Sequence, residues 1–371
     1  MEFLPVQTLG RLYVEFVACR SSIFPAGPVI ANCYVGTTPY RLALVGLGRI
    51  GAVHFRNINA NPRLELRYVI DVNAEKFAAL APTSKYVADF ESIANDAELD
   101  GVVVCTPTGD HRRIILAALR AKKAVFCEKP ISLNLEELDE CYAESVKQNT
   151  PLLCGYQRRS DPSFFKLKQS CDSGDIGQVQ IVKTMSRDNP VPTIAYLKIS
   201  GGIFHDCGSH DIDLCRWITG EDPVEVFAAA SCFNPEIKAI DDFDTIIVTL
   251  KFPSGKIGSI DLSRKAAYGY DQRIEVLGDK GMLQANNRQP TSVILFTESG
   301  ALSDPNCYSF PQRYEHGYAI ELDHFADILA GKTQPQLSHD DARKISIIAD
   351  AAEESARSGK AVQIVYTPSK F

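Results

Sequence analysis

The sequence has no C-x-x-C pair, and its 11 cysteines are odd in number and scattered over 371 residues. That excludes a zinc knuckle and a disulfide framework, and it points to a reducing compartment. There is no basic excess either: 39 Lys and Arg face 46 Asp and Glu, for a formal charge of −7. Without cations to spare for phosphate backbones, nucleic-acid binding is excluded as the main role. A membrane-spanning helix needs about 20 unbroken apolar residues, and no such run occurs. Ser21 to Tyr40 carries no charge, but Pro25, Gly27, Pro28, Gly36 and Pro39 interrupt it. A secretory signal would begin with a basic residue; here Glu2 comes first and Arg11 lies too far in. A transit peptide stays open, because Arg11 and Arg20 face only Glu2 and Glu15. Residues 1–40 are therefore expected to be a loosely ordered extension. The expected location is the cytoplasm, or the mitochondrion if that extension is a targeting segment.

What is present is an ordinary globular composition, 45% apolar and 23% charged, in a length that suits two domains. From Arg41 the pattern is regular. Apolar strands Leu42 to Val45, Leu66 to Ile70, Gly101 to Cys105, Ala124 to Cys127 and Leu152 to Gly155 alternate with helical stretches Ile50 to Ala60, Ala74 to Leu80, Asp110 to Lys122 and Leu135 to Gln148. Continuous Val-rich strands between helices predict a doubly wound parallel sheet over residues 41–157. After that, strand-like runs follow one another: Val179 to Thr184, Val224 to Phe233, Thr245 to Phe252, Lys256 to Leu262, Arg273 to Leu277 and Ser292 to Phe296. Consecutive strands predict antiparallel pairing in a second domain, residues 158–366, closed by helices His316 to Ala330 and Asp340 to Ser358.

Gly46-Leu47-Gly48-Arg49-Ile50-Gly51 is a G-x-G-x-x-G string that follows a strand, opens a helix and is followed 20 residues later by Asp71 at the end of the next strand. In that context it reads as a dinucleotide site, with the pyrophosphate at the helix N-terminus. Asp71 selects the cofactor. A carboxylate accepts hydrogen bonds from both ribose hydroxyls and repels a 2′-phosphate, and Val72 and Asn73 bring no cation, so NAD is favoured over NADP. Two more strand ends should line the same cleft: the segment with Thr106, Pro107 and His111, and Glu128-Lys129-Pro130. An ammonium there, Lys129, suits the alkoxide that grows as a hydride leaves.

In the second half, Asp206, His210 and Asp213 are spaced i, i+4, i+7 and share one face if the segment is a helix. A histidine between two carboxylates on one stripe is a candidate general base. A metal site would want a further ligand at metal spacing, and this segment offers none.

Together, G-L-G-R-I-G, T-P-T-G-D-H, C-E-K-P, G-Y-Q-R-R-S-D-P and D-C-G-S-H-D-I-D-L-C-R-W resemble the glucose–fructose oxidoreductase/inositol dehydrogenase family over residues 41 to about 366. Arg158-Arg159, Asn189-Pro190, Tyr268-Gly269-Tyr270-Asp271 and Tyr318 are most similar to its inositol dehydrogenases. The resemblance implies an N-terminal Rossmann domain and a C-terminal α+β domain whose large open sheet joins subunits into homodimers or homotetramers. It implies NAD-dependent oxidation of a ring hydroxyl on a cyclic polyol, myo-inositol first, with scyllo-inositol, dihydrodiols or aldoses as alternatives and a non-catalytic NAD sensor as the rival class. Lys129 would bridge nicotinamide and substrate, His210 would take the hydroxyl proton, Asp206 would place the polyol, and Asp213 would orient the histidine. Arg158, Asn189, Tyr270 and Tyr318 would face the remaining ring hydroxyls. Gln157 departs from the family, which often has an apolar residue there.

Overall fold

The computed structural model describes residues 38–73 and 84–369. The extension before residue 38 and the helix expected over Ala74 to Leu80 lie outside the described residues. Among the described residues, no helix is long and apolar enough to cross a membrane.

Six parallel strands, β1 (Tyr40–Val45), β2 (Leu64–Ile70), β3 (Lys85–Val87), β4 (Gly101–Val104), β5 (Ala124–Glu128) and β6 (Leu152–Gly155), form one sheet in the order β3-β2-β1-β4-β5-β6. The order reverses beside β1, so a crevice opens beyond the carboxyl ends of β1 and β4. Helices α1 (Arg49–Ala60), α2 (Thr108–Arg120) and α3 (Leu135–Gln148) cover it. Asn134 starts α3 by accepting the amides of Glu136 and Glu137, and Asn149 ends it in the left-handed conformation at φ 48°.

Helix α4 (Pro162–Asp172) leads into a seven-stranded sheet. It comprises β7 (Val179–Arg187), β8 (Glu225–Ser231), β9 (Thr245–Lys251), β10 (Ile257–Ser263), β11 (Asp271–Gly278), β12 (Met282–Ala285) and, at the far edge, Val362–Gln363, in the order β12-β11-β7-β10-β9-β8 and then that edge. The pairing is antiparallel except at β7 and β10, which run parallel. The sheet is thus mostly antiparallel, as expected, and the one parallel pair arises because β7 and β8 are not a hairpin. The chain leaves β7, builds helix α5 (Ser209–Thr219) and enters the sheet again three strands away. Ile294–Thr297 and Gly300–Ser303 make a separate hairpin.

Helix α6 (Glu315–Leu329) returns to the first sheet, where Leu322, Phe325 and Ala326 join one core with Leu42, Leu44 and Phe126. Helix α7 (His339–Ser358), opened by a Ser338/Asp341 capping box and ended by Gly359 at φ 68°, packs on the second sheet beside α5. Both closing helices thus begin within a residue of their expected starts. The ends of β5 and β7 and the start of α5 meet where the two sheets adjoin.

Candidate active site

Each glycine of the loop after β1 answers a different geometric demand. Gly46 has φ +94°, and a Cβ there would lie 2.7 Å from the Cys105 carbonyl oxygen; a Cβ on Gly51 would lie 1.9 Å from the Gly46 oxygen. Gly48, by contrast, has nothing within 4 Å of its Cβ position among the described residues. No side chain caps the N-terminus of α1, so its first amides face that open side. Asp71 braces the loop: Oδ2 accepts the Leu47 amide at 2.6 Å and Oδ1 the Asn73 amide at 2.8 Å. Each oxygen keeps a further acceptor position. A loop with bare amides, an open cradle at Gly48 and an acid with spare lone pairs fits the pyrophosphate and ribose of NAD. The Thr106 hydroxyl adds a buried polar atom with no partner among the described residues at the same strand-end crevice.

Three residues expected to touch the cofactor are otherwise engaged. His111 is buried, with Nδ1 2.8 Å from the Pro130 carbonyl and Nε2 2.9 Å from that of Thr106. It ties the two loops together and has no ring nitrogen left for a ligand. The Glu128 carboxylate turns toward α1, where Oε1 lies 2.6 Å from His54 Nε2. Arg49 donates to Ser309 Oγ at 2.8 Å and lies over the Phe310 ring, so it anchors the loop to the chain before α6. Ile50 is half-buried and packs against the core.

Lys129 follows β5 and reaches across to the second sheet's segment. Its Nζ donates to the main-chain oxygen of Asp206 at 2.5 Å and lies 3.5 Å from Oδ1. Asp206 Oδ1 also accepts the Tyr196 hydroxyl at 2.7 Å, and Oδ2 accepts Arg264 Nη1 at 2.9 Å. Burial alone would raise the pKa of Asp206, but the positive charges of Lys129 and Arg264 outweigh it and hold the carboxyl below its usual range. Tyr196 and Arg264 were not found by motif reading. Arg264 carried a faint signal, since it stands one residue past a strand end; Tyr196, on the short turn Ile194–Leu197, carried none.

His210 is buried in the first turn of α5, edge-on to the Tyr156 ring at 5.5 Å, and its Nδ1 has no partner among the described residues. Burial pushes its pKa well down, and the charges of Lys129 and Arg158 push it further. The imidazole is neutral at pH 7 and able to accept a proton. This is the protonation state expected for a base, reached by a different route, since neither carboxylate of the predicted stripe holds the ring. Asp206 sits in a π turn, Phe204–Gly208, ahead of the regular helix, so the i, i+4, i+7 phase is not continuous. Asp213 does not orient His210. Arg159 takes it instead, with Nη2 at 2.5 Å and Nε at 3.0 Å.

The remaining predicted residues divide. Arg158 lies beneath the site, donating through Nη1 to Ser186 Oγ and Asp211 Oδ1 at 3.0 Å each, and so it contributes charge to His210 from a buried network. Asn189 donates to the Tyr308 carbonyl at 2.9 Å. Tyr270 and Tyr318 are both buried, the first edge-on to Tyr314 and the second edge-on to His54 and Phe310. Asp188 joins the site unpredicted. Its Oδ2 lies 3.3 Å from Cys207 Sγ, and burial followed by the charge of Asp206 raises its pKa.

Residues 40–156 match the model of the oxidoreductase family with an NAD-binding Rossmann fold, and residues 164–284 match the GFO/IDH/MocA C-terminal domain. The chain is 38% identical to a myo-inositol 2-dehydrogenase of Thermotoga maritima over 87% of its own length and 98% of the relative's. It superimposes on a myo-inositol dehydrogenase of Corynebacterium glutamicum with a TM-score of 0.84 at 34% identity, covering 89% of this chain and all of that one. A scyllo-inositol dehydrogenase of Lactobacillus casei, solved with NAD(H) and scyllo-inositol, gives 0.82 at 27% identity over 88% and 99% of the two chains. The overall fold, a parallel sheet joined to a mostly antiparallel one, is shared with these structures, and the chain belongs to the GFO/IDH/MocA family of NAD-dependent oxidoreductases.

Proposed function

We propose that the protein oxidises a ring hydroxyl of a cyclic polyol, with myo-inositol as the first candidate and its 2-keto derivative as the product. The observation that carries this reading is the meeting of a neutral, buried His210 with Lys129 and an ionised Asp206. The loop Gly46–Gly51 and the N-terminus of α1 would hold the pyrophosphate of NAD, and Asp71 the ribose. When bound, NAD supplies the hydride acceptor. His210 accepts the proton of the reacting hydroxyl at a ring nitrogen, the Lys129 ammonium stabilises the charge that grows on the oxygen, and Asp206 orients the polyol by accepting hydrogen bonds. Asn189, Tyr270 and Tyr318 would meet the other hydroxyls, with Arg158 acting from below. The relatives named for myo-inositol and scyllo-inositol support a cyclic polyol and leave its stereochemistry to experiment.

The same reading takes residues 41–157 as the cofactor domain, 158–366 as the substrate and assembly domain, self-association through the open face of the second sheet, and the cytoplasm as the place of action. The test is a panel of inositols and sugars with NAD and NADP, followed by the absorbance of reduced cofactor. Myo-inositol with NAD should lead, and His210→Ala should lose about 10²–10⁴-fold in turnover while NAD still binds. Unchanged kcat in that variant would remove His210 from the mechanism.

A further inference from the structure

Arg264 is fully buried, one residue beyond β10, and its two terminal nitrogens go to different carboxylates. Nη1 donates to Asp206 Oδ2 at 2.9 Å and Nη2 to Asp242 Oδ2 at 3.2 Å, while Nε has no partner among the described residues. Asp242 in turn accepts the Ile203 amide at 3.1 Å through Oδ1, just where the chain enters the π turn Phe204–Gly208. The guanidinium therefore grips that turn at two places, at its entrance through Asp242 and within it at Asp206. Its own backbone is fixed on the sheet, since the Arg264 amide donates to the Asp244 carbonyl at 2.8 Å. The result is a strut from the second sheet to the one segment whose main-chain oxygen and carboxylate both meet Lys129.

A fully buried cation is expensive to keep, and replacing such ion pairs with packed apolar side chains often leaves a fold as stable or more so. Stability alone gives no reason for an arginine here. The planar fork does: it can bond two carboxylates in fixed directions at once, which a point charge on a flexible stem cannot. We propose that Arg264 is a positioning residue for the dehydrogenation, which holds Asp206 aimed at Lys129 without itself meeting the substrate. The proposal rests on the functional reading above. Its physical content is that the charge on Arg264 adds to that of Lys129 in keeping Asp206 ionised against burial and the neighbouring Asp188, with the Tyr196 hydroxyl donating to the same carboxylate, and that the fork sets the direction.

The two parts separate in two variants, Arg264→Gln and Arg264→Lys, measured with myo-inositol and NAD across pH. Removing the cation should raise the pKa of Asp206, so Arg264→Gln should move the acid limb of the kcat/KM profile upward by about one pH unit. It should also lower kcat/KM at pH 7 by about 10²-fold through misplacement, while the calorimetric Kd for NAD stays within about twofold of wild type. Arg264→Lys restores the charge and not the fork. Its acid limb should return to the wild-type position while kcat/KM remains at least about fivefold low. An acid limb in Arg264→Gln that coincides with wild type overturns the proposal, and so does Arg264→Lys with wild-type kcat/KM. If the glutamine variant does not fold, the lysine variant decides alone on that last criterion.

Failure of the functional reading would look different, as a wild-type enzyme that turns over nothing on the polyol panel. The ionisation of Asp206 can then be read without turnover from infrared spectra recorded across an acid titration. Arg264→Gln should show a protonated-carboxyl band, assigned by its loss in the double variant with Asp206→Asn, that persists to about one pH unit above that of wild type. A band that titrates as in wild type would overturn the proposal whatever the substrate.

Discussion

Glu321 shows how much of the chemistry near the site is decided by single buried groups. It lies on α6 with no exposure, and neither carboxyl oxygen has a partner among the described residues. Burial first, and then the charge of Glu128, raise its pKa well above the ordinary value. Burial thus favours the protonated form of Glu321, while its neighbour Glu128 pairs with His54. The stability consequence has a definite sign. A group whose folded pKa is raised contributes stability that is fully present below its unfolded pKa, near 4.3, and is lost as pH rises toward the folded value, at about 1.4 kcal/mol per pH unit. Glu321→Gln carries no such dependence. Its stability relative to wild type should therefore rise between pH 5 and pH 8 in urea unfolding, and an advantage that is the same at both pH values would show that the folded pKa of Glu321 is not raised. Single residues also mark where sequence reading stopped. Lys129, Asp206 and His210 were legible because a strand-end motif and a helical spacing carry them. The engagements of Asp213 with Arg159, Arg158 with Ser186, and His111 with Pro130 were not, because each partner comes from a distant segment.

At the scale of elements, the glycine spacing of the cofactor loop was legible and the turn before α5 was not. G-x-G-x-x-G is a record of three backbone constraints, and the loop meets all three. No residue pattern distinguishes five residues of π turn from one more turn of α-helix, so the stripe of Asp206, His210 and Asp213 looked continuous. The glycine constraints yield a paired prediction. A methyl at Gly51 would lie 1.9 Å from the Gly46 oxygen, so Gly51→Ala must open the loop and should cost about 1–3 kcal/mol as well as NAD affinity. Gly48 has φ −66° and open space at its Cβ position. Gly48→Ala should leave thermal stability within about 0.5 kcal/mol of wild type. Yet it should weaken NAD binding at least about tenfold in calorimetry, because the methyl enters the approach of the pyrophosphate. Wild-type affinity in Gly48→Ala would mean that the cofactor does not pass over this glycine.

The described residues of the two domains centre on two large sheets, and the first of these is covered by helices on both faces. The change from alternating strands and helices to consecutive strands was visible in the sequence, as was the position of both closing helices. The way β7 joins β10 required the path of the whole second half. One face of the second sheet carries Val182, Val226, Val248, Leu250, Ile260, Leu262, Ile274 and Val276, buried under α5 and α7. The other face is open, and it is not polar throughout. Met282 pairs with Leu277, Leu277 with Ile181, and Ile181 with Ile257, so one apolar side chain on each of four neighbouring strands forms a continuous row. Met282, Leu277 and Ile257 in that row are 51%, 39% and 41% exposed. Such a row is unusual on a surface left in water and suits burial against a second copy, where each chain contributes the same row. A charge at its centre would be buried twice across a symmetric contact. Leu277→Glu should therefore reduce the mass seen in sedimentation equilibrium from a dimer or tetramer toward the single chain, with thermal stability lowered only as far as assembly contributes to it. If Leu277→Glu sediments as wild type does, this sheet face is not a contact between copies of the chain.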